Sequence, residues 1–140
     1  MKKQPIPKLC VLLLIVCLMI PTAFAAQKDD GVASPQLSGL SSFATTLSIS
    51  SGTAYCESAA VVSNSGYSVA LTMRLQRSTD QKTWTTIKTW DAARGSSPSL
   101  SKQYSVSSGY YYRVYSSANT FKADGTRLGS NWKASYIKYY

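Results

Sequence analysis

The chain reads as an all-β domain, an antiparallel sandwich or barrel, on three observations. From Phe43 onward apolar residues alternate with polar ones at period two, which sends side chains to opposite faces of a strand. Turn signals built from Ser, Asn and Gly recur about every ten residues. No segment after residue 25 holds a helical period. About seven strands in roughly 100 residues is the density of a small antiparallel all-β domain. No internal repeat is present. Ser and Thr make up about a quarter of the sequence, a composition that suits the wetted faces of exposed sheets.

The elements follow in order. Residues 26–42 read as a flexible leader, because Gln27 to Gly31 is polar and Ser34-Pro35 and Ser38-Gly39 interrupt any pattern. The first strand starts at Phe43, with Leu47 and Ile49 on one face, and Ser50-Ser51-Gly52 turns the chain. The second runs from Thr53 to Ser63, with Ala54, Cys56, Ala60 and Val62 sharing a parity, and Asn64-Ser65-Gly66 ends it. The third is the clearest: Val69, Leu71, Met73 and Leu75 alternate with Ala70, Thr72, Arg74 and Gln76. Arg77 is placed with Arg74 and Gln76 in the outward set. A polar turn, Ser78 to Lys82, leads to Thr83–Trp90, whose β-branched and aromatic content favours a strand. Trp84 and Ile87 have opposite parity, so burying both requires a bulge. A loop from Ala92 to Ser99 precedes a strand carrying Leu100, Tyr104 and Val106. After Ser107-Ser108-Gly109, the strand Tyr110–Tyr115 puts Tyr110, Tyr112 and Val114 on one face and Tyr111, Arg113 and Tyr115 on the other. A long loop through Asn119, Asp124-Gly125 and Gly129-Ser130-Asn131 leads to a last strand, Trp132–Tyr140. The expected core is Leu71, Met73, Leu75, Ile87, Leu100, Val106, Tyr112 and Val114, with Trp84, Tyr104 and Tyr110 as further aromatic members.

Two segments resemble fibronectin type III and related immunoglobulin-like modules. Leu75 to Trp84 resembles a hairpin of the form strand, Ser-x-Asp, short turn, Thr-Trp, here Ser78, Asp80, Thr83 and Trp84, with Gln81 or Lys82 where such hairpins carry glycine. Ser108 to Asn119 resembles the late strand of such a module, where a corner tyrosine precedes alternating apolar residues. The resemblance implies a β-sandwich over residues 43–140 and makes Tyr110 the corner residue. The early core tryptophan of those modules has no counterpart before Tyr67. The whole layout, with Trp84, Trp90 and Tyr111-Tyr112-Arg113-Val114, also resembles a family of small exported proteins of Gram-positive bacteria of unknown function. That resemblance implies no activity.

The first 25 residues carry the marks of an export signal. Lys2, Lys3 and Lys8 precede an apolar run from Leu9 to Ile20, then Pro21, and Ala23-Phe24-Ala25 offers small residues for cleavage. The run is short for a membrane span. The expected product is a secreted, extracellular domain of residues 26–140 with no lipid on Cys17 and no stable membrane anchor. Its charge falls from +9 for the whole chain to about +6, since three lysines leave with the signal. A basic exported domain is drawn to anionic polymers, and any attraction to nucleic acid is non-specific, because no nucleic-acid motif is present. Cys10 and Cys17 lie in the signal. Cys56 alone remains, so no internal disulfide can form, and without a neighbouring cation it reads as a buried, inert thiol.

Catalytic chemistry finds little support. The chain has no histidine, which removes imidazole as a general base in a nucleophilic triad and as a zinc ligand. Asp80 with Asp91 is the one semi-local carboxylate pair, and turn capping explains both more simply. There is no phosphate-cradling glycine loop and no calcium-loop spacing. No enzyme activity, cofactor or metal is expected.

The positive signal is aromatic. All ten Tyr and all three Trp lie beyond residue 25. Tyr111, Tyr115, Trp90, Trp132, Tyr136, Tyr139 and Tyr140 exceed the needs of one small core and can present flat, polar-tipped rings. Arg113 sits between Tyr111 and Tyr115 on the outward parity, where a guanidinium can stack or take an anion. The ligand-binding candidates are therefore Tyr111, Arg113 and Tyr115, set against the simpler reading of cross-strand pairs that shield a sheet face. The expected function is a secreted binding module for an anionic cell-wall or cell-surface polymer, a glycan or an extracellular protein. A secreted cationic antibacterial or competition factor is the alternative.

Overall fold

The computed structural model describes residues 37–140. The leader and signal expectations up to residue 36 lie outside them. Two antiparallel sheets face each other as a β-sandwich, the architecture the resemblance implied. One sheet contains β1 (Leu40–Ser50), β2 (Thr53–Val62) and β5 (Ser99–Ser105) in the order β1-β2-β5. The other contains β3 (Ser68–Ser78), β4 (Thr85–Asp91), β6 (Tyr111–Phe121) and β7 (Arg127–Ala134) in the order β4-β3-β6-β7, with the short β8 (Lys138–Tyr139) also against β6.

Local chemistry sets the joints. β1 and β2 meet in a two-residue turn where Ser51 and Gly52 have φ of 46° and 75°. Two left-handed residues give a turn whose twist matches the flanking strands. The chain between β4 and β5 changes sheets: Ala92 N–H donates to Leu71 C=O and Gly95 exchanges hydrogen bonds with Val69, after which Ser96 and Pro98 carbonyls accept from Val62 and Ala60. Trp84 and Ile87 are not both buried, and Trp84 lies ahead of β4; the edge pairing nevertheless carries a bulge. Leu75 pairs with Lys88 and Gln76 with Thr86, which leaves Ile87 as the extra residue.

The core is the inward parity of each strand. Phe43 and Leu47 from β1, Ala54, Cys56 and Ala60 from β2, Val69, Leu71, Met73 and Leu75 from β3, Leu100 from β5, and Tyr112, Val114 and Ala118 from β6 are buried. Hydroxyls fill the gaps between the sheets. Thr45 Oγ1 donates to Ser58 Oγ at 3.0 Å and lies 2.6 Å from Ser116 Oγ on the opposite sheet. A buried hydroxyl is tolerated only when paired, and these pair with one another.

Several expectations are corrected. The domain starts before residue 43. Leu40 is buried, and the segment ahead of it is clasped by Asn131, whose Oδ1 accepts from Ser38 N–H at 3.0 Å and whose Nδ2 donates to Ser38 C=O at 3.3 Å. Thr120 Oγ1 donates to the same carbonyl at 2.7 Å. Gly129 permits this crossing, since a Cβ there would stand 2.6 Å from Ser38 Cβ. The expected long loop from Asn119 to Asn131 is instead the end of β6, a short turn at residues 122–126 and the start of β7. Its polar residues look like loop only because their internal partners are distant in sequence. The last segment likewise splits into β7 and β8, which makes eight strands in place of seven. Between them Tyr136 and Ile137 are pushed outward, and Ser135 Oγ accepts from Val114 N–H at 2.9 Å. An interrupted edge of this kind blunts edge-to-edge pairing.

Within the expected core, Ile87 and Val106 are only half-buried, at the rim where β4 and β5 diverge. Trp84 is half-buried on the outer face, and Tyr104 is exposed. Trp90 and Tyr140, expected outside, are half-buried against the core. Arg77 shares the inward parity of Leu75 and is not in the outward set. Tyr112, and not Tyr110, makes the corner contact. It is fully buried, and its hydroxyl donates to Ser107 C=O at 2.6 Å, five residues upstream. Tyr110 is half-buried, edge-on to Tyr112 with ring centroids 6.3 Å apart. Tyr112→Phe therefore should destabilise the domain by about 1–3 kcal/mol, because the Ser107 carbonyl loses its donor. Tyr110→Phe should change stability by no more than about 0.5 kcal/mol. Chemical denaturation of the two variants checks the assignment.

Candidate aromatic and cationic face

The outer face of the larger sheet is built by the parity opposite to the core. β3 contributes Arg74 and Gln76, and β6 contributes Tyr111, Arg113 and Tyr115. Gln76 stands opposite Arg113 and Arg74 opposite Tyr115 in the register. Arg74 and Arg113 are thus diagonal neighbours on the two central strands. All three expected binding residues lie on this face, and each is half-buried.

Arg113 is the centre of the row. Its Nε donates to Gln76 Oε1 at 2.8 Å. Its guanidinium carbon lies 4.2 Å from the Trp84 ring centroid and 5.7 Å from that of Tyr115. Tyr115 in turn stacks on Trp132 of β7 with centroids 6.2 Å apart and planes 20° apart. Tyr111 does not join this row. It packs instead on Tyr139 of β8 at 4.9 Å. Desolvation by its neighbours lowers the Arg113 pKa, opposed by Tyr115. Arg74 Nη1 donates to Ser117 Oγ at 3.3 Å. Among the described residues, the terminal nitrogens of Arg113 have no protein hydrogen-bond partner.

Trp84 arrives here through the turn singled out in the sequence. Ser78 Oγ accepts from the amides of Asp80 and Gln81, at 3.2 and 2.9 Å, and donates to Asp80 Oδ1 at 2.9 Å. Asp80 Oδ1 accepts from the amides of Lys82 and Thr83, both at 2.8 Å. Gln81 takes the left-handed conformation, φ 60°, at the place where the resembling hairpins carry glycine. This wrapped turn delivers Trp84 beneath Arg113. The Thr83 amide, then the Lys82 amide and the Ser78 hydroxyl, hold the Asp80 carboxyl below the usual carboxylate range.

Carboxylates are scarce. The described residues hold eleven Lys and Arg against Glu57, Asp80, Asp91 and Asp124. Each acid has a local partner: Thr46 Oγ1 for Glu57, the turn amides for Asp80, Thr72 Oγ1 for Asp91 and the Thr126 amide for Asp124. Asp91 is the carboxylate paired onto the outer face, through Thr72. Asp80 lies in the turn ahead of β4 and Asp91 is the last residue of β4, roughly 20 Å or more away along the strand, so the two do not form a facing pair. The arginines are held by rings instead. Arg94 sits 3.8 Å from the Phe121 centroid and Arg77 sits 4.6 Å from that of Tyr110.

The row was partly missed because Trp84 reads as core on composition. The signal that finds it is the turn: a fixed short loop after Ser78 places residue 84 just ahead of the edge strand. Cys56 is buried, as expected, and burial pushes its thiol up to about 12. Searches of family models, curated proteins and solved structures each find no match to this chain.

Two outcomes follow. Asp80 has a lowered folded pKa, so its stabilising contribution is present above its unfolded pKa of about 4 and is lost as pH falls through the folded value. The melting temperature should drop below about pH 4, and Asp80→Asn should flatten that acid limb while lowering stability at neutral pH. A pH series of thermal melts on both proteins measures this. Cys56 should not react with an aromatic disulfide reagent in the folded protein at about pH 8, and should react fully once guanidinium unfolds it.

Proposed function

We propose that the protein is a secreted binding module that captures an anionic cell-surface polymer on the outer face of the larger sheet. The observation that carries this reading is Arg113: a half-buried arginine whose guanidinium lies over the Trp84 ring, with terminal N–H groups free of protein partners among the described residues. A bound oxyanion compensates that desolvation and accepts in-plane hydrogen bonds that a ring cannot. Arg74 adds a second cation on the neighbouring strand. Trp132, 48% exposed at the end of the row, offers an apolar ring surface to a sugar or polyol segment between charges.

The end of β6 from Asn119 and the start of β7 from Arg127, joined by a short turn at residues 122–126, extend this face. There Arg127 Nη2 donates to Asn119 Oδ1 at 2.8 Å, and it also meets Ser130 Oγ. The surface offers a string of donors along β6 and β7, which suits a polymer better than a single small molecule.

Arg113 also supports its neighbours, so its removal should cost about 1 kcal/mol of stability through the lost ring contact. The test is therefore run far below the melting temperature. Retention on purified cell wall should weaken about tenfold in Arg113→Ala, and wild-type retention should fade above about 0.15 M salt, where screening acts within roughly 8 Å. Equal retention of both proteins at every salt concentration would remove Arg113 from the binding face.

A further inference from the structure

The two sheets part on the side where the start of β4 faces the end of β5. A cleft of about 370 Å³ opens there, lined by Arg77, Ile87, Tyr104, Ser105, Val106, Ser107 and Tyr112. A smaller depression of about 240 Å³ also has Arg77 in its wall, with Ser78, Thr79, Thr83, Thr85 and Tyr110. Arg77 thus lines both hollows.

Arg77 is unusual for its position. It follows Leu75 on the inward parity of β3, so a cation faces the space between the sheets. Its guanidinium carbon lies 4.6 Å from the Tyr110 centroid. Tyr112, whose hydroxyl donates to Ser107 C=O at 2.6 Å, lines the same cleft. Burial raises the Tyr112 pKa, so the hydroxyl stays neutral and keeps that donation. None of the four described carboxylates is paired with Arg77; each has another partner. An inward cation held against the Tyr110 ring, in the wall of the cleft and without a carboxylate partner among the described residues, keeps N–H donors for a ligand.

We propose that this cleft is a second binding site, for an organic oxyanion: a phosphate ester carried on a hydroxylated carbon chain. Arg77 takes the phosphate oxygens. The hydroxyls of Ser105, Ser107 and Tyr104 meet the ligand's own hydroxyls, and Ile87 and Val106 cover its carbon chain. The volume suits one small phosphorylated polyol or sugar unit. The site is distinct from the Arg74–Arg113 face and does not depend on it.

The test is an amide NMR titration of the purified protein with sn-glycerol 3-phosphate, inorganic phosphate and glycerol. Glycerol 3-phosphate should give saturable shifts at Ile87 and at Tyr104 to Ser107. Inorganic phosphate should bind there more weakly, and glycerol should give no saturable shift. Arg77→Gln should raise the dissociation constant at least about tenfold, while Arg113→Ala should leave it within about twofold. Arg77 also packs on Tyr110, so Ser105→Asp serves as a second variant. Its exposed site preserves the fold, its carboxylate occupies the cleft beside Arg77, and it should abolish the shifts. Shifts confined to the Arg74–Arg113 face would overturn the proposal. So would equal binding of inorganic phosphate, or binding unchanged by Ser105→Asp.

Discussion

Eleven unbroken cross-strand pairs, from Ser68 opposite Phe121 to Ser78 opposite Tyr111, join β3 to β6. Almost everything else follows from that register. It buries Val69, Leu71, Met73, Leu75, Tyr112, Val114 and Ala118 on one side, and it lifts Arg74, Gln76, Arg113 and Tyr115 to the other. A slip of β3 by one residue would drive Arg74 into the core and Val69, Leu71, Met73 and Leu75 into water. The same pairing sets where the flanking strands attach. β4 adds to β3 with its bulge at Ile87, and β7 adds to β6 so that Trp132 falls beside Tyr115. The candidate face is therefore a geometric consequence of core formation, with no separate scaffold.

The core that results is small-chained, and polar groups complete it. Thr45, Ser58 and Ser116 link the sheets through hydroxyls, and Asn131 with Thr120 ties down the segment entering β1. Each is buried and each is partnered. Such groups add little net stability compared with well-packed aliphatics, but leaving one unpaired is costly. They consequently act on specificity. Asn131 can be satisfied only when the Ser38 backbone crosses over Gly129, which selects one entry path for the first strand.

How much of this was legible in the sequence depended on where the partners lie. The β3 strand and the β1–β2 turn are local properties, and alternation with turn chemistry exposes them. The outward placement of Tyr111, Arg113 and Tyr115 followed from parity alone. What escaped were residues whose role is set by partners far along the chain. Thr120 and Asn131 looked like loop because the backbone they satisfy, at Ser38, is more than eighty residues away. Trp84 looked like core because large apolar rings usually are, yet the wrapped turn from Ser78 carries it outside. Tyr110 and Tyr112 share a parity, and only the depth of burial and the reach to Ser107 decide which one makes the corner hydrogen bond.

The arginines show why a basic domain of this kind can stay folded without ion pairs. Among the described residues eleven cations face four carboxylates, and those acids are engaged by hydroxyls and amides. Arg77, Arg94 and Arg113 rest on aromatic faces instead. The two modes of holding differ in what they leave available. A carboxylate occupies the in-plane N–H groups of a guanidinium, so a ligand anion must displace it and gains only the difference. A ring engages the π face and leaves the in-plane donors to a ligand. Arg113 and Arg77 are both fixed in this way, one on the outer face and one between the sheets, and both are partly removed from water without an internal anion. An oxyanion arriving at either place meets a preorganised donor set and displaces no competing carboxylate, so it needs little reorganisation of the protein on binding. The scarcity of acids and the surplus of rings are thus one design: together they keep the cations ordered and their hydrogen-bonding edges open.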